Sequence, residues 1–359
     1  MGTSRDTAEQ HFVREALLAL GSERAGLREA ARGVRNWDRV LAVAAAGSVT
    51  ESIGSALALR EVEEEIPEPA RTAFREAHAG ATARNALLLV EAADVQAAFA
   101  AEGIDSVILK GPGLLVAHYP DIGSRHVSDV DILVRPSDAA RAEGVARARG
   151  GRPEVHALVP MEEGEGAHHH LTPLVGRSGV ILEIHTRLPG QAAEEGDIEA
   201  ILSAARTVNW QGRAIRIPAS PDLAAMLCLH VFTYHGGLEE YRARHLADIT
   251  VLMGAGAVRW EEVEARVEKE PDRAAVRMSR VLLDGTDDGL RGWRYVVGVR
   301  AGGWWKLLRR RDPGALLAAV FPPRDFMAGR YHVHPESKLL PLLYLWRPVR
   351  GAWRFVTGR

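Results

Sequence analysis

Cysteine is all but absent from this chain: Cys228 is the only one in 359 residues. An intramolecular disulfide is therefore excluded, a cysteine-based metal centre lacks donors, and Cys228 itself reads as a small buried hydrophobe. Lysine is nearly as scarce. Only Lys110, Lys269, Lys306 and Lys338 occur, the remaining positive charge being arginine, so a lysine inside a motif is more informative than usual. Long apolar runs are missing too. No stretch approaches the roughly 18 uninterrupted apolar residues of a spanning helix, so no membrane span is expected. The opening residues Met1 to Asp6 lead into a polar helix rather than an apolar signal core, and Asp6 stands where a myristoylation site takes Ser or Thr. A cytoplasmic protein is the expectation.

What the chain does have is the composition of a folded globule, with 47% hydrophobic and 26% charged residues, and enough length for two or three packed units. Its net charge of −2 conceals an asymmetry. From Arg291 to Arg359 there are 14 Lys/Arg against three acids (Asp312, Asp325 and Glu336), a tail of +11 that leaves −13 for the rest. Such a tail either meets an anionic partner or rims a solvated helical surface. The run Trp304-Trp305-Lys306-Leu307-Leu308-Arg309-Arg310-Arg311 within it has the same two readings, as a nucleic-acid or membrane-surface contact or as a helix covering the core with its arginines in water.

Residues 7 to about 103 read as Ala/Leu/Glu/Arg-rich helices, with breaks expected near Gly47-Ser48, Gly54-Ser55 and Ile66-Pro67-Glu68-Pro69. From Ile104 the pattern changes to short apolar runs that predict strands: Ile104 to Leu109, Val130 to Val134, Val155 to Val159, His169 to Val175 and Val180 to Leu188. A helix over about Ser137 to Arg149 separates two of them, and Gly176-Arg177-Ser178-Gly179 predicts a hairpin. At Ser220-Pro221-Asp222 the chain turns helical again, with Ser220 as the expected cap. The fold class is thus α+β, a small mixed sheet between helical flanks: an N-terminal helical region over 1–80, a core over 81–218 and a C-terminal helical domain over 219–359.

The strongest local signal is Ser128-Asp129-Val130-Asp131-Ile132-Leu133-Val134. Side chains alternate along a strand, so Asp129 and Asp131 project together while Val130, Ile132 and Val134 face the core. Two carboxylates on one face suit divalent ions in phosphoryl or nucleotidyl transfer, the alternative being two solvated acids at a strand edge. On the strand Val180-Ile181-Leu182-Glu183-Ile184-His185-Thr186-Arg187-Leu188, alternation sends Val180, Leu182 and Ile184 inward and puts Glu183, His185 and Arg187 on the other face, where Glu183 can complete a triad of acids. Its roles would be metal ligand or general base, and His185 would orient the acceptor or a phosphate, with a structural histidine as the alternative. Leu109-Lys110-Gly111-Pro112-Gly113 runs from a strand into a helix, exposing backbone N–H groups and the Lys110 charge to a phosphate, or serving only as a turn. Arg244 and Asp248, one helical turn apart, are spaced for an ion pair. His168-His169-His170 invites a zinc reading, but adjacent strand residues point to opposite faces and cannot all reach one ion.

In this order, Lys110-Gly111, Tyr119-Pro120-Asp121 with Arg125, Asp129-Val130-Asp131 and Glu183-Ile184-His185 resemble the uncharacterised nucleotidyltransferase family of the DNA polymerase β-like superfamily. Arg84-Asn85, Leu227-Cys228-Leu229-His230 with His235, Arg244-His245-Leu246-Ala247-Asp248-Ile249 and Phe321-Pro322-Pro323 are similar to it as well. The resemblance runs from about residue 80 to the C-terminus. It implies a polymerase β-like core in which Asp129, Asp131 and Glu183 hold Mg²⁺, with Mn²⁺ as the alternative ion, and in which Lys110, Gly111, Arg125 and Ser128 contact the triphosphate of an NTP such as ATP. His185, Arg187, His235, Arg244 and Asp248 would shape the acceptor side or support the acids. Two departures stand out. The Gly-Ser or Gly-Gly usual just before the acid pair is replaced by Lys110-Gly111 farther upstream, and Thr186 stands where an aromatic commonly follows the histidine.

The expected reaction is transfer of an NMP group to an acceptor hydroxyl on a small molecule, a peptide or protein, or a tRNA, the basic tail leaning towards RNA. The rivals are a non-catalytic binding subunit with the same sheet, a toxin-type nucleotidyltransferase of a toxin–antitoxin pair, and metal-dependent phosphohydrolysis through the histidine cluster.

Overall fold

The chain enters its first helix, α1 (Ala8–Gly21), through a capping box: the Thr7 hydroxyl accepts from the Gln10 amide and the Gln10 side chain from the Thr7 amide, both at 3.3 Å. The structure, a computed structural model, describes residues 7–22, 26–154, 171–188, 195–230, 243–254, 256, 258–268, 270–283, 324, 327 and 337–346. After α1 come α2 (Gly26–Gly33), α3 (Trp37–Gly47, capped by Asn36) and α4 (Thr50–Leu59). Next is α5 (Glu68–Ala101), 34 residues long, begun by Pro67 and Pro69, which only a first turn tolerates. The expected break at Gly47-Ser48 is present, with Ser48 left-handed at φ 55°. The break expected at Gly54-Ser55 is not. The helix α4 runs through both residues, and a Cβ at Gly54 would collide with the backbone of Phe74, so this glycine permits a close crossing of α4 on α5 rather than a turn.

The middle of the chain supplies β1 (Ser106–Ile108), α6 (Lys110–Ala117), β2 (Asp129–Val134), α7 (Ala139–Ala148), β3 (Arg152–Pro153), β4 (Leu174–Val175) and β5 (Ile181–His185). The five strands form one sheet in the order β1-β2-β5-β4-β3. Strands β2 and β5 run parallel and the other neighbours antiparallel, so the sheet is mixed, as expected. The hairpin predicted at Gly176–Gly179 joins β4 to β5: Gly176 N donates to Val180 O at 2.8 Å, and Gly179 takes the positive φ, 77°, that the turn requires. The strand expected at Val155 to Val159 and the histidines at 168–170 lie outside the described residues.

A helix α8 (Glu195–Ala204) leads to a second hairpin, β6 (Arg206–Trp210) and β7 (Arg213–Ile217), which the sequence reading did not anticipate. Its turn, Gln211-Gly212, has both residues left-handed (φ 49° and 77°), matching the twist of a two-residue hairpin. The buried Gln96 of α5 fastens this hairpin to the main sheet. Its Nε2 donates to Ser106 O and Arg216 O, each at 3.1 Å, and its Oε1 accepts from Arg216 N at 2.7 Å.

Helices α9 (Ser220–Leu229), α10 (Ala243–Gly254), α11 (Trp260–Glu264) and α12 (Glu270–Leu283) complete the described fold. Ala219, not Ser220, is the residue before α9, and Pro221 occupies its first turn. One apolar core runs through all of these units, from Phe12 of α1 and Phe74 and Phe99 of α5 to Val130, Ile132 and Val134 of β2 and Ile249 of α10. Among the described residues no single helix is long and apolar enough to cross a membrane.

Candidate active site

The parallel register of β2 on β5 decides which side chains meet. Asp131 lies opposite Glu183, Asp129 opposite Ile181 and Leu133 opposite His185. Neighbours in register share a face, so Asp129, Asp131, Glu183 and His185 all project from one side of the sheet. The other side, Val130, Ile132, Val134, Leu182 and Ile184, is buried apolar surface, as the alternation predicted.

The centre of the cluster is Asp131. Its Oδ1 lies 2.6 Å from His185 Nε2 and 3.3 Å from Lys110 Nζ. His185 Nε2 in turn lies 3.5 Å from Glu183 Oε2, and one donor atom each from Asp131, Glu183 and His185 fall within 4.8 Å of one another. Asp129, two residues before Asp131, accepts from the Ser128 hydroxyl at 3.1 Å. His185 is fully buried at 0% exposure, whereas Glu183 remains half-buried at the mouth.

Charge crowding shows in the titration of these groups. Burial and then the neighbouring carboxylates of Asp131 and Glu183 push the Asp129 carboxyl above its ordinary range. Burial acts on Asp131 in the same direction, but the Lys110 ammonium and the hydrogen bond from His185 outweigh it and hold this carboxyl well below the usual value. The His185 imidazole is raised: burial opposes its protonation, yet its bonds to Asp131 and Glu183 win. His230, at the end of α9, also acts on Asp131 through its charge and stacks edge-on to His245 with ring centroids 6.3 Å apart. Its string was noticed in the sequence, but nothing there separated it from a core histidine.

Several expected site residues stand elsewhere. Arg125, expected on the triphosphate, is buried and fully engaged: Nε and Nη2 grip Asp248 at 2.6 and 2.8 Å, and Nη1 donates to His126 O at 2.9 Å. Tyr119 adds a hydroxyl to the same Asp248 oxygen at 2.7 Å, and Asn85 holds the Ile122 and Arg125 carbonyls at 2.6 and 2.7 Å. Arg125 is therefore a framework residue that fixes the loop leading into β2. Gly111 also has a packing reason, since a Cβ there would come within 2.6 Å of Arg125 Nη1 and 3.1 Å of Val127 Cγ1. Lys110, the first residue of α6, takes a left-handed φ of 47° and turns its ammonium onto Asp131 rather than away from the acids. Arg187 falls beyond the end of β5 and is exposed, so strand alternation does not carry it to the acids. Arg244, on α10, acts through its charge on the buried Glu51 and on Tyr119. His235 lies outside the described residues.

A second polar clamp holds the same loop from the other side. Asp121 accepts from Ser55 at 3.0 Å and from Gly123 N at 2.7 Å, and it lies 2.8 Å from His78 Nε2. Helices α4 and α5 thereby pin the turn at 121–124.

A family model described as an uncharacterised nucleotidyltransferase matches residues 34–284, which span the whole site. No curated protein matches the sequence. Among solved structures, that of the antibiotic-resistance factor ANT(2'')-Ia is similar at 14% identity over 55% of this chain and 94% of the other, with a TM-score of 0.35, too loose a likeness to carry an argument about substrate.

Proposed function

The chain belongs to the uncharacterised nucleotidyltransferase family, and on that premise we propose that it transfers an NMP group from an NTP to an acceptor hydroxyl with release of pyrophosphate, using Mg²⁺ held by Asp129, Asp131 and Glu183. The observation that carries this reading is the register pair Asp131–Glu183, with Asp129 on the same face and its carboxyl lifted by burial and then by the charge of the other two. Three like charges held together by a rigid sheet are a standing cost, which a divalent cation at their focus would relieve. When bound, such an ion supplies charge neutralisation for the triphosphate and activation of the attacking oxygen.

The protein's own groups then take these parts. Asp129 and Asp131 present oxygens from alternate positions of β2, on one face. Glu183, the least buried of the cluster's central groups, is the base that receives the acceptor's proton. Lys110 Nζ, 3.3 Å from Asp131 Oδ1, neutralises phosphate charge as it now neutralises Asp131. Ser128, at the mouth of β2, lies beside Asp129 and donates to a phosphate oxygen. Arg125 and Asp248 act at one remove, by holding the loop from which β2 starts.

Incubating the purified protein with each α-labelled NTP and a cell lysate, then identifying the labelled species, tests the activity and finds the acceptor among small molecule, peptide or tRNA. Asp129→Asn is expected to abolish labelling without loss of fold. Labelling undiminished in that variant would overturn the assignment.

A further inference from the structure

A nucleotidyl-transfer centre needs only oxygen donors for Mg²⁺, yet this one has an imidazole at its heart. His185 is buried completely, and its Nε2 points between two carboxylates, 2.6 Å from Asp131 Oδ1 and 3.5 Å from Glu183 Oε2. A histidine present only to fill the space under the sheet could have been a leucine, with no polar ring to desolvate. Its spacing from the acids suggests more. Donor atoms sharing one ion at bond lengths of about 2.1 Å lie about 3 Å apart, and the two measured separations bracket that value.

We infer that His185 Nε2 is itself a metal ligand, so that Asp131, Glu183 and His185 form a mixed nitrogen–oxygen site selecting a first-row transition ion over Mg²⁺. This rests on the reading of Asp131 and Glu183 as metal ligands and changes which ion that reading implies. Imidazole adds little to the binding of a hard ion such as Mg²⁺, which keeps oxygen and water around it, whereas it strengthens binding across the transition series. The ring also explains the tight packing: a site that must discriminate between ions of similar radius gains from a donor that cannot move away.

The test uses the full-length protein loaded with Mn²⁺ and read by pulsed electron paramagnetic resonance, which detects a directly bound ¹⁴N without any turnover. Wild type is expected to show ¹⁴N modulation. His185→Gln is expected to lose it and to bind Mn²⁺ about ten- to a hundredfold more weakly while Mg²⁺ affinity changes by less than about threefold. Mn²⁺ bound by wild type with no nitrogen modulation would overturn the inference and leave an all-oxygen site intact. Nitrogen modulation that persists in His185→Gln would overturn it as well, by assigning the signal to another histidine. No Mn²⁺ binding by wild type at all would remove this inference together with the reading it rests on. A wild-type spectrum without nitrogen modulation overturns the inference even if the variant fails to fold.

Discussion

Asp248 and Arg125 lie 123 residues apart in the chain and meet through two hydrogen bonds, Nε to Oδ1 at 2.6 Å and Nη2 to Oδ2 at 2.8 Å. Asp248 is fully buried, and Tyr119 shares its Oδ1. This pair joins α10 to the loop before β2, so the acids are positioned in part by a helix that supplies none of the carboxylates Asp129, Asp131 and Glu183. Breaking one side leaves a buried charge without its partner. Asp248→Asn and Arg125→Met are each expected to destabilise the protein by about 3 to 5 kcal/mol, and Tyr119→Phe by about 1 kcal/mol, in urea denaturation. A stable Arg125→Met protein with a weakened NTP affinity would instead return Arg125 to the triphosphate.

The Asp121–His78 pair gives a pH signature. His78 is raised because it hydrogen-bonds Asp121, so its contribution to stability is complete below its unfolded value near 6.5 and is lost as pH rises through the folded value. Burial would lift Asp121, but His78 and Gly123 outweigh that and lower it to about 2, so its contribution is present above about 4 and is lost as pH falls through the folded value. The stability difference between wild type and His78→Gln is therefore expected to be largest between about pH 4 and 6.5 and to shrink on both sides. A difference that stays level from pH 3 to 9 would contradict the pairing.

How legible was this site in the sequence? Strand alternation identified Asp129, Asp131, Glu183 and His185 as one face, because period two is a local property that survives into the fold. The same rule failed at Arg187, where β5 had already ended at His185. Alternation also said nothing of depth. The structure seals His185 completely while Glu183 stays half-buried, and this depends on what lies above the sheet. Arg125 was expected on the triphosphate within the family reading, and the partner it grips, Asp248, is 123 residues away with no local mark. Gly54 was taken for a helix break, since sequence cannot show that Phe74 presses against it. The β6–β7 hairpin was missed although Gln211-Gly212 stood between alternating runs, a turn signal weaker than Asn-Gly.

Lys110 and an incoming cation compete for the same Asp131 oxygen. Lys110→Met should strengthen Mn²⁺ binding by on the order of 1 kcal/mol, about fivefold, while weakening NTP binding. Calorimetry with the metal alone and then with NTP separates the two effects. Unchanged metal affinity would mean that the ammonium does not guard the site.

Asp129 carries its raised carboxyl as a cost. A folded-state value above the unfolded one means the fold favours the protonated form, so ionised Asp129 destabilises the metal-free protein at neutral pH. Asp129→Asn is expected to raise the denaturation midpoint in chelator and to lose the stabilisation that Mg²⁺ or Mn²⁺ gives wild type. A variant less stable than wild type in chelator would contradict the cost assigned to ionised Asp129.

The central claim is that these carboxylates form a metal site that receives a nucleoside triphosphate. Isothermal titration of ATP and the other NTPs into wild type and Asp131→Asn, each with Mg²⁺ or Mn²⁺ and again in chelator, tests it directly. The account predicts NTP binding by wild type that requires the metal and is absent in Asp131→Asn. Binding of equal strength in chelator, or unchanged in Asp131→Asn, would contradict it.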